Sequence, residues 1–221
     1  MSAPILVVTG TGTDVGKTVV TAGLGRALTA LGVTTIAIKP VESGINAGGP
    51  EDGVLLAEAT GQEAPLRALT RLQAPLAPPV AAELEGVALD EGAWTRAVLE
   101  AATVAELVLV EGAGGLLSPL TWERTLLDLA GTWGAEALIV ADHRLGVLSH
   151  TRLILAALEN AGVPARAVVL NDVAGDGRGL SAQAEALRRL IPGLPIVELR
   201  RLDETDQAAS ALAHLAAELS P

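Results

Sequence analysis

Gly10-Thr11-Gly12-Thr13-Asp14-Val15-Gly16-Lys17-Thr18 follows the apolar run Ile5–Thr9 and opens the helix-forming stretch Lys17–Leu31. A glycine-rich string set between a strand and a helix is the context of a phosphate cradle. Its glycines let backbone N–H groups point at phosphate oxygens, and the helix N-terminus adds partial positive charge. Lys17 is placed to reach the outer phosphates, and the Thr18 hydroxyl to ligate Mg²⁺. From Gly10 the spacing reads Gly-x₅-Gly-Lys-Thr, a departure from the usual pattern. A plain tight turn into a helix is the bland alternative, and the agreement of strand, loop and helix speaks against it.

Outward from this stretch, short runs rich in Val, Ile and Leu recur at Thr35–Lys39, Leu107–Glu111, Leu138–Asp142 and Ala167–Asn171, with a weaker one at Ile196–Leu199. They read as buried parallel strands. Between them lie stretches with helical spacing, at Glu91–Ala105, Leu148–Ala161, Leu180–Leu190 and Gln207–Leu219. The alternation predicts an α/β fold, a single-domain doubly wound, mostly parallel sheet flanked by helices, of the P-loop NTPase type. A chain of 221 residues, 50% apolar and with 24 glycines, suits one catalytic domain over 1–221. No internal repeat or linker is visible. Ala74–Glu85, with Pro75, Pro78 and Pro79, reads as irregular, too proline-rich for a helix or a central strand.

In such sheets the reactive groups sit just past the carboxyl ends of the strands. There the sequence offers Lys39-Pro40-Val41-Glu42-Ser43-Gly44, in which Pro40 keeps Lys39 extended. A second ammonium beside a phosphate site spreads transition-state charge. On its own, Lys39 reads equally as an exposed strand-end lysine. Composition sharpens the choice, because of 15 basic residues only Lys17 and Lys39 are lysine. A chain that otherwise uses Arg then needs a compact ammonium at two strand ends, biased codon usage being the competing explanation. Glu111-Gly112-Ala113-Gly114-Gly115 puts a carboxylate at the end of a buried run, an expensive place unless it holds the metal that bridges ATP phosphates. The competing reading is a strand-terminal Glu open to water. Asp52, within the flexible stretch Gly44–Gly53, is a weaker third candidate, since loop-borne acids are usually solvated. So sparse a set suits Mg²⁺, which takes few carboxylates alongside water and phosphate oxygens.

Other classes drop out. The absence of cysteine excludes disulfides, thiolate metal sites and a cysteine nucleophile. A net charge of −11 without a basic stripe makes nucleic acid a poor partner. No apolar run approaches the roughly 18 residues of a membrane span, and Met1–Thr9 has no signal-peptide pattern, so a cytoplasmic protein with no membrane partner is expected. Asp142, His143 and Ser149 have the residue types of a hydrolytic triad, but without Gly-x-Ser-x-Gly they read as solvated loop residues. His150 and His214 read as structural, Trp94, Trp122 and Trp133 as packing, and Gly23-Leu24-Gly25 as the interior of the first helix rather than a nucleotide loop.

The ordered set of motifs resembles the dethiobiotin synthetase family, whose members make the ureido ring of the biotin precursor. Gly10–Thr18 is similar to that family's loop, and Lys39-Pro-Val-x-Ser-Gly to its second lysine motif. Glu111-Gly-Ala-Gly-Gly, Leu145-Gly146 with Ser149-His150, and Asn171-Asp172-Val173 follow in the family's order. The resemblance implies that CO₂ carbamylates 7,8-diaminopelargonate, MgATP phosphorylates the carbamate, and the second amine closes the ring with loss of phosphate. It assigns catalysis to Lys17, Lys39 and Thr13 and the substrate to Thr13, Lys39 and Ser43. ATP falls to Gly12, Thr13, Asp14, Val15, Gly16, Lys17, Thr18, Val19, Asp52, Glu111, Gly112, Ala113 and Gly114, with Asn171, Asp172, Arg200 and Leu202 around the base. Mg²⁺ falls to Thr18, Asp52 and Glu111. Gly146, Val147 and Ser149 would hold the substrate carboxylate at a helix start across a homodimer interface. Three positions depart from the family pattern: Asp14 for Glu, Ser149 for Asn, and Arg200 for Pro.

Two rivals share the fold. Regulatory P-loop ATPases of the partitioning type carry an extra early lysine, where this chain has Gly10, Thr11 and Gly12, and often end in a basic helix, whereas Gln207–Pro221 has no Lys or Arg. A cobyrinate-type amidoligase needs a glutaminase cysteine that this chain lacks.

Overall fold

The computed structural model describes residues 2–45, 48–201 and 205–221. The first half runs β1 (Ile5–Gly10), α1 (Lys17–Ala30), β2 (Thr35–Ile38), β3 (Val41–Ser43), α2 (Asp52–Thr60), β4 (Thr70–Leu72), α3 (Pro78–Glu85) and α4 (Glu91–Val104). The second runs β5 (Leu107–Glu111), α5 (Leu126–Trp133), β6 (Glu136–Asp142), α6 (Val147–Asn160), β7 (Ala165–Asn171), α7 (Leu180–Leu190), β8 (Ile196–Leu199) and α8 (Thr205–Leu219). The six apolar runs of the sequence become one parallel sheet in the order β2-β5-β1-β6-β7-β8. The chain leaves β1 for the β2 edge, fills β5 in between, and crosses to β6 on the other side. β1 is therefore central, and the loop after it opens at the crevice where the winding reverses.

Buried parallel strands need both faces covered, and alternate residues supply both. Ile5 and Val7 of β1 face the core of α4, α5, α6 and α7, with Trp94, Leu129, Leu158 and Leu187. Leu6 and Val8 face that of α1, α2 and α8, with Leu24, Leu28, Leu56 and Leu212. Each such side chain, fully buried, contributes about 1.5–3 kcal/mol relative to exposure. Gly23 and Gly25 belong to this packing, as the sequence suggested in denying them a nucleotide loop. A Cβ on Gly23 would lie 2.6 Å from the Ala208 Cβ, and one on Gly25 2.9 Å from the Thr60 methyl, so glycine lets α1 approach α8 and α2 closely.

Several sequence expectations need correction. Ala74–Glu85 is not irregular throughout, because Pro78–Glu85 is helical, with its prolines in the first turn where a fixed φ helps and a missing N–H costs nothing. Asp52 is no loop residue but the first residue of α2. α5 was not anticipated, although Thr125 and Asp128 form a capping box at its start. Nor was the small parallel pair β3–β4, with Val41 opposite Thr70 and Ser43 opposite Leu72. Trp94 and Trp133 pack in the core, each donating its indole N–H to a threonine hydroxyl, of Thr70 and Thr95 respectively. Trp122 does not: it is 59% exposed, its N–H donated to Glu83. His150 and His214 lie on helices, as read, and both are exposed.

Candidate active site

Parallel register delivers the loops to one edge of the sheet. Val8 of β1 sits opposite Glu111 of β5 and Leu138 of β6. The Gly112 N–H donates to the Val8 carbonyl and the Thr11 N–H to that of Val140, which ties the Gly10 loop down on both sides. Within the loop Asp14 and Gly16 take left-handed backbone, at φ 58° and 88°. Asp tolerates that conformation better than most side chains. Gly16 has a second reason, since a Cβ there would lie 2.2 Å from the Asn171 amide nitrogen. That amide donates to the Val15 carbonyl at 2.9 Å, so β7 braces the loop from behind.

In front of the loop lies a cleft of about 410 Å³ lined by Thr13, Asp14, Gly16, Lys17, Thr18, Val19, Lys39, Glu42, Ser43, Asp52, Ala113 and Gly114. At its base Lys39 is 4% exposed and Glu111 fully buried. The Lys39 ammonium donates to Glu111 Oε1 at 2.6 Å and to Asp52 Oδ2 at 2.7 Å, and the Thr18 hydroxyl donates to the same Glu111 oxygen at 2.9 Å. Neither the exposed strand-end lysine nor the water-facing glutamate survives this geometry. Lys17 turns back over the loop, its ammonium donating to the Gly12 carbonyl at 3.1 Å.

The two lysines are tuned in opposite directions. Burial alone would pull Lys39 down, but Glu111 and Asp52 outweigh it and hold the ammonium above its ordinary range. Lys17 is pushed down, first by burial and then by the like charge of Lys39, against the opposing pull of Glu111, Asp52 and Asp14. Burial disfavours the Asp52 carboxylate, yet Lys39 and the Thr18 hydroxyl bring it below the usual range. On raising the pH, Lys17 is therefore expected to lose its proton before Lys39. Protein labelled with ¹⁵N in its lysine side chains gives two Nζ signals to follow by NMR, assigned through a Lys17→Gln variant, and the reverse order contradicts this electrostatic account.

The donor set fits a hard divalent cation. Glu111 Oε2 is buried with no hydrogen-bond partner, beside the Asp52 carboxylate and the Thr18 hydroxyl. A carboxylate oxygen left unpaired in the interior is costly unless something positive meets it. Glu111→Gln is accordingly expected to raise the Mg²⁺ concentration for half-maximal activity by about 10- to 100-fold while the protein stays folded, an amide being the poorer ligand for such a cation. Activity that titrates with Mg²⁺ as in the wild type removes Glu111 from the metal site.

Not every residue assigned by resemblance joins this cleft. Gly112 is buried under Leu126, whose Cδ2 lies 2.4 Å from where a Cβ would stand. Asp172 is buried, and its carboxylate accepts the N–H groups of Gly175 and Gly177, shaping the loop after β7. Arg200 is exposed just past β8, and Leu202 lies outside the described residues. Gly146 precedes α6 at φ 101°. Val147 buries its side chain and donates its N–H to the Arg144 carbonyl, while Ser149 is exposed. A second cavity of about 400 Å³ has Gly10, Gly12 and Thr13 on one wall and His150 and Leu153 of α6 on the other. Thr13 borders both.

Two features went unread in the sequence. Glu42, a variable position in the second lysine motif, is a buried carboxylate in the cleft. Asp142 and His143 are not solvated: both are buried, with the His143 ring placed among Asp142, Asp172 and Asp176 at 3.5–3.7 Å.

A family model described as an AAA domain matches residues 5–208. The ATP-dependent dethiobiotin synthetase of Caulobacter sp. (strain K31) is 42% identical over 99% of this chain and 96% of its own length. That of Anaeromyxobacter dehalogenans (strain 2CP-C) is 45% identical over 75% of each, and that of Rhodopseudomonas palustris 37% identical over 95% and 91%. Among solved structures, the septum site-determining protein MinD with Mg-ADP from Pyrococcus horikoshii superposes with a TM-score of 0.61 at 19% identity, covering 99% of this chain and 96% of that one. The cell-division ATPase MinD of Pyrococcus furiosus does so with 0.61 and 19%, over the whole of both. These likenesses show the P-loop fold alone, and the regulatory ATPases are not favoured by the closer sequence relatives. With relatives of 37–45% identity, one along almost its whole length, the chain belongs to the ATP-dependent dethiobiotin synthetase family.

Proposed function

We propose that this protein is an ATP- and Mg²⁺-dependent cyclo-ligase that converts 7,8-diaminopelargonate and CO₂ to dethiobiotin, releasing ADP and phosphate. The observation that carries this reading is Lys39, a buried ammonium held charged between Glu111 and Asp52 in the same cleft as the phosphate loop. ATP use alone needs one lysine; a reaction that brings a carbamate up to the γ-phosphoryl group sets two anions together, and a second fixed cation stabilises their meeting.

In this scheme one amine of the substrate adds to CO₂ and loses a proton, leaving a carbamate. A carbamate oxygen takes the γ-phosphoryl group, ADP departs, and the second amine then attacks the carbamyl carbon, expelling phosphate and losing its proton. Lys17 and Lys39 hold the anionic groups, Thr13 and Ser43 orient the diamine, and the 12–19 loop with Ala113 and Gly114 seats the phosphates. Thr18, Asp52 and Glu111 hold Mg²⁺, which when bound neutralises phosphate charge. Asn171, Asp172, Arg200 and Leu202 serve the base. Gly146, Val147 and Ser149 receive the substrate carboxylate at the start of α6, with a second copy of the chain completing the site in a homodimer; Thr13, bordering both cavities, supports that path. We also read the chain as a single-domain cytoplasmic enzyme; no helix among the described residues is long and apolar enough to cross a membrane.

The test is incubation with ATP, bicarbonate and 7,8-diaminopelargonate against an ATP-only control, with dethiobiotin detected by mass spectrometry. Phosphate release that ignores the diamine would instead favour a regulatory ATPase.

A further inference from the structure

Glu42 sits in the middle of β3, buried at 7% exposure, and its two carboxylate oxygens accept the backbone N–H groups of Asp52 at 2.6 Å and Gly53 at 3.0 Å. The first N–H groups of a helix have no partner within it, and α2 obtains these two bonds from another element. Its own N-cap residue does not serve them. Glu51 makes no side-chain capping bond, and its carboxylate goes to Arg71 and Arg67 instead. The connection from β3 to α2 includes Gly44, Gly48 and Gly49, which supply little stiffness of their own.

We propose that Glu42 is a positioning residue for the nucleotide site: by clamping the start of α2 onto β3, it fixes Asp52 against Lys39 and Thr18. An aspartate in a first turn ordinarily turns its carboxylate toward the N–H groups of its own helix. Here Glu42 occupies those N–H groups, and Asp52 Oδ2 instead faces the Lys39 ammonium at 2.7 Å. Burial pushes the Glu42 carboxyl up, and the same two N–H bonds oppose that shift. The inference rests on the cleft binding Mg·nucleotide, not on the identity of the amine substrate.

The experiment compares Glu42→Ala, Glu42→Gln and Glu42→Asp with the wild type in two readouts that need no turnover. In free protein, NMR should show the Asp52 and Gly53 amide protons moving upfield in Glu42→Ala. By calorimetry, affinity for Mg·ADP should fall about 10- to 100-fold, the range typical when a group that orients metal ligands is removed. Affinity for ADP without Mg²⁺ should change much less. Glu42→Gln keeps the length and one acceptor oxygen and should recover part of the loss, whereas Glu42→Asp, one methylene shorter, should not. Should Glu42→Ala not fold, Glu42→Gln decides by the same two measurements. Affinity for Mg·ADP close to wild type in a folded variant overturns the proposal, as does an equal loss with and without Mg²⁺, which would make Glu42 part of the general scaffold. Dethiobiotin formation by the wild type is read separately, so failure of the proposed reaction leaves this outcome distinct.

Discussion

Lys39→Leu is expected to lower kcat by about a hundred- to a thousandfold while the protein still binds a non-hydrolysable ATP analogue. The ammonium lies between Glu111 and Asp52 at the base of the cleft, where the proposed reaction would bring the carbamate up to the γ-phosphoryl group. A contact that strengthens as charge develops shows in kcat as well as in KM. Lys39→Arg should fail comparably, because a planar fork does not fit a 4%-exposed site shaped around a point charge. Removing Lys39 also strands the fully buried Glu111, at about 3–5 kcal/mol of stability. Since the folded-state value of Lys39 is raised above 10.5, the wild-type pair is fully stabilising at neutral pH and weakens only as pH rises through that folded value. Product formation by Lys39→Leu at near wild-type rate would remove Lys39 from the reaction, and calorimetry with thermal melting separates lost chemistry from lost fold.

Lys17→Gln should be as damaging to turnover, again about a hundred- to a thousandfold, but with the opposite consequence for stability. Its value is lowered on folding, so at neutral pH the charged amine is held at a cost that is relieved as pH rises through the lowered folded value. A neutral amide of similar size removes that cost, and the melting temperature should hold or rise. Steady-state rates and melting curves on the two variants give a crossed pattern: Lys39→Leu loses stability and rate, Lys17→Gln loses rate alone. Near wild-type turnover in Lys17→Gln would sink the phosphate-loop assignment.

What the sequence made legible was whatever repeats or is punctuated. The β strands are apolar runs ended by polar residues, so Lys39, Glu111 and Asn171 could be placed at strand ends, and parallel register then guarantees that they share an edge. Helical spacing sustained over long stretches decided the helices. α5 had a readable start signal in Thr125 and Asp128, but its run Leu126–Trp133 is short and went unrecognised. α2 has none, because its cap comes from Glu42, ten residues earlier and on another element, so Asp52 looked like loop. α3 was hidden by Pro78 and Pro79, which break helices anywhere but in the first turn. Glu42 itself carried one local clue, an acid directly after the buried Val41. Burial of His143 had no local clue, since its ring sits against Asp172 and Asp176 on the loop after the neighbouring strand.

The tryptophans have an optical consequence. With no tyrosine or phenylalanine in the chain, near-ultraviolet absorption and intrinsic fluorescence come from three indoles. Trp94 and Trp133 are enclosed at 1% and 5% exposure, which predicts blue-shifted emission shielded from acrylamide, whereas Trp122, at 59%, emits to the red and is quenched. The quenchable fraction therefore reports on one spot, where Trp122, between β5 and α5, meets Glu83 of α3, without any introduced label. Whatever covers that face on assembly or ligand binding will register as a loss of quenching, while the two enclosed indoles serve as an internal standard that the fold is intact.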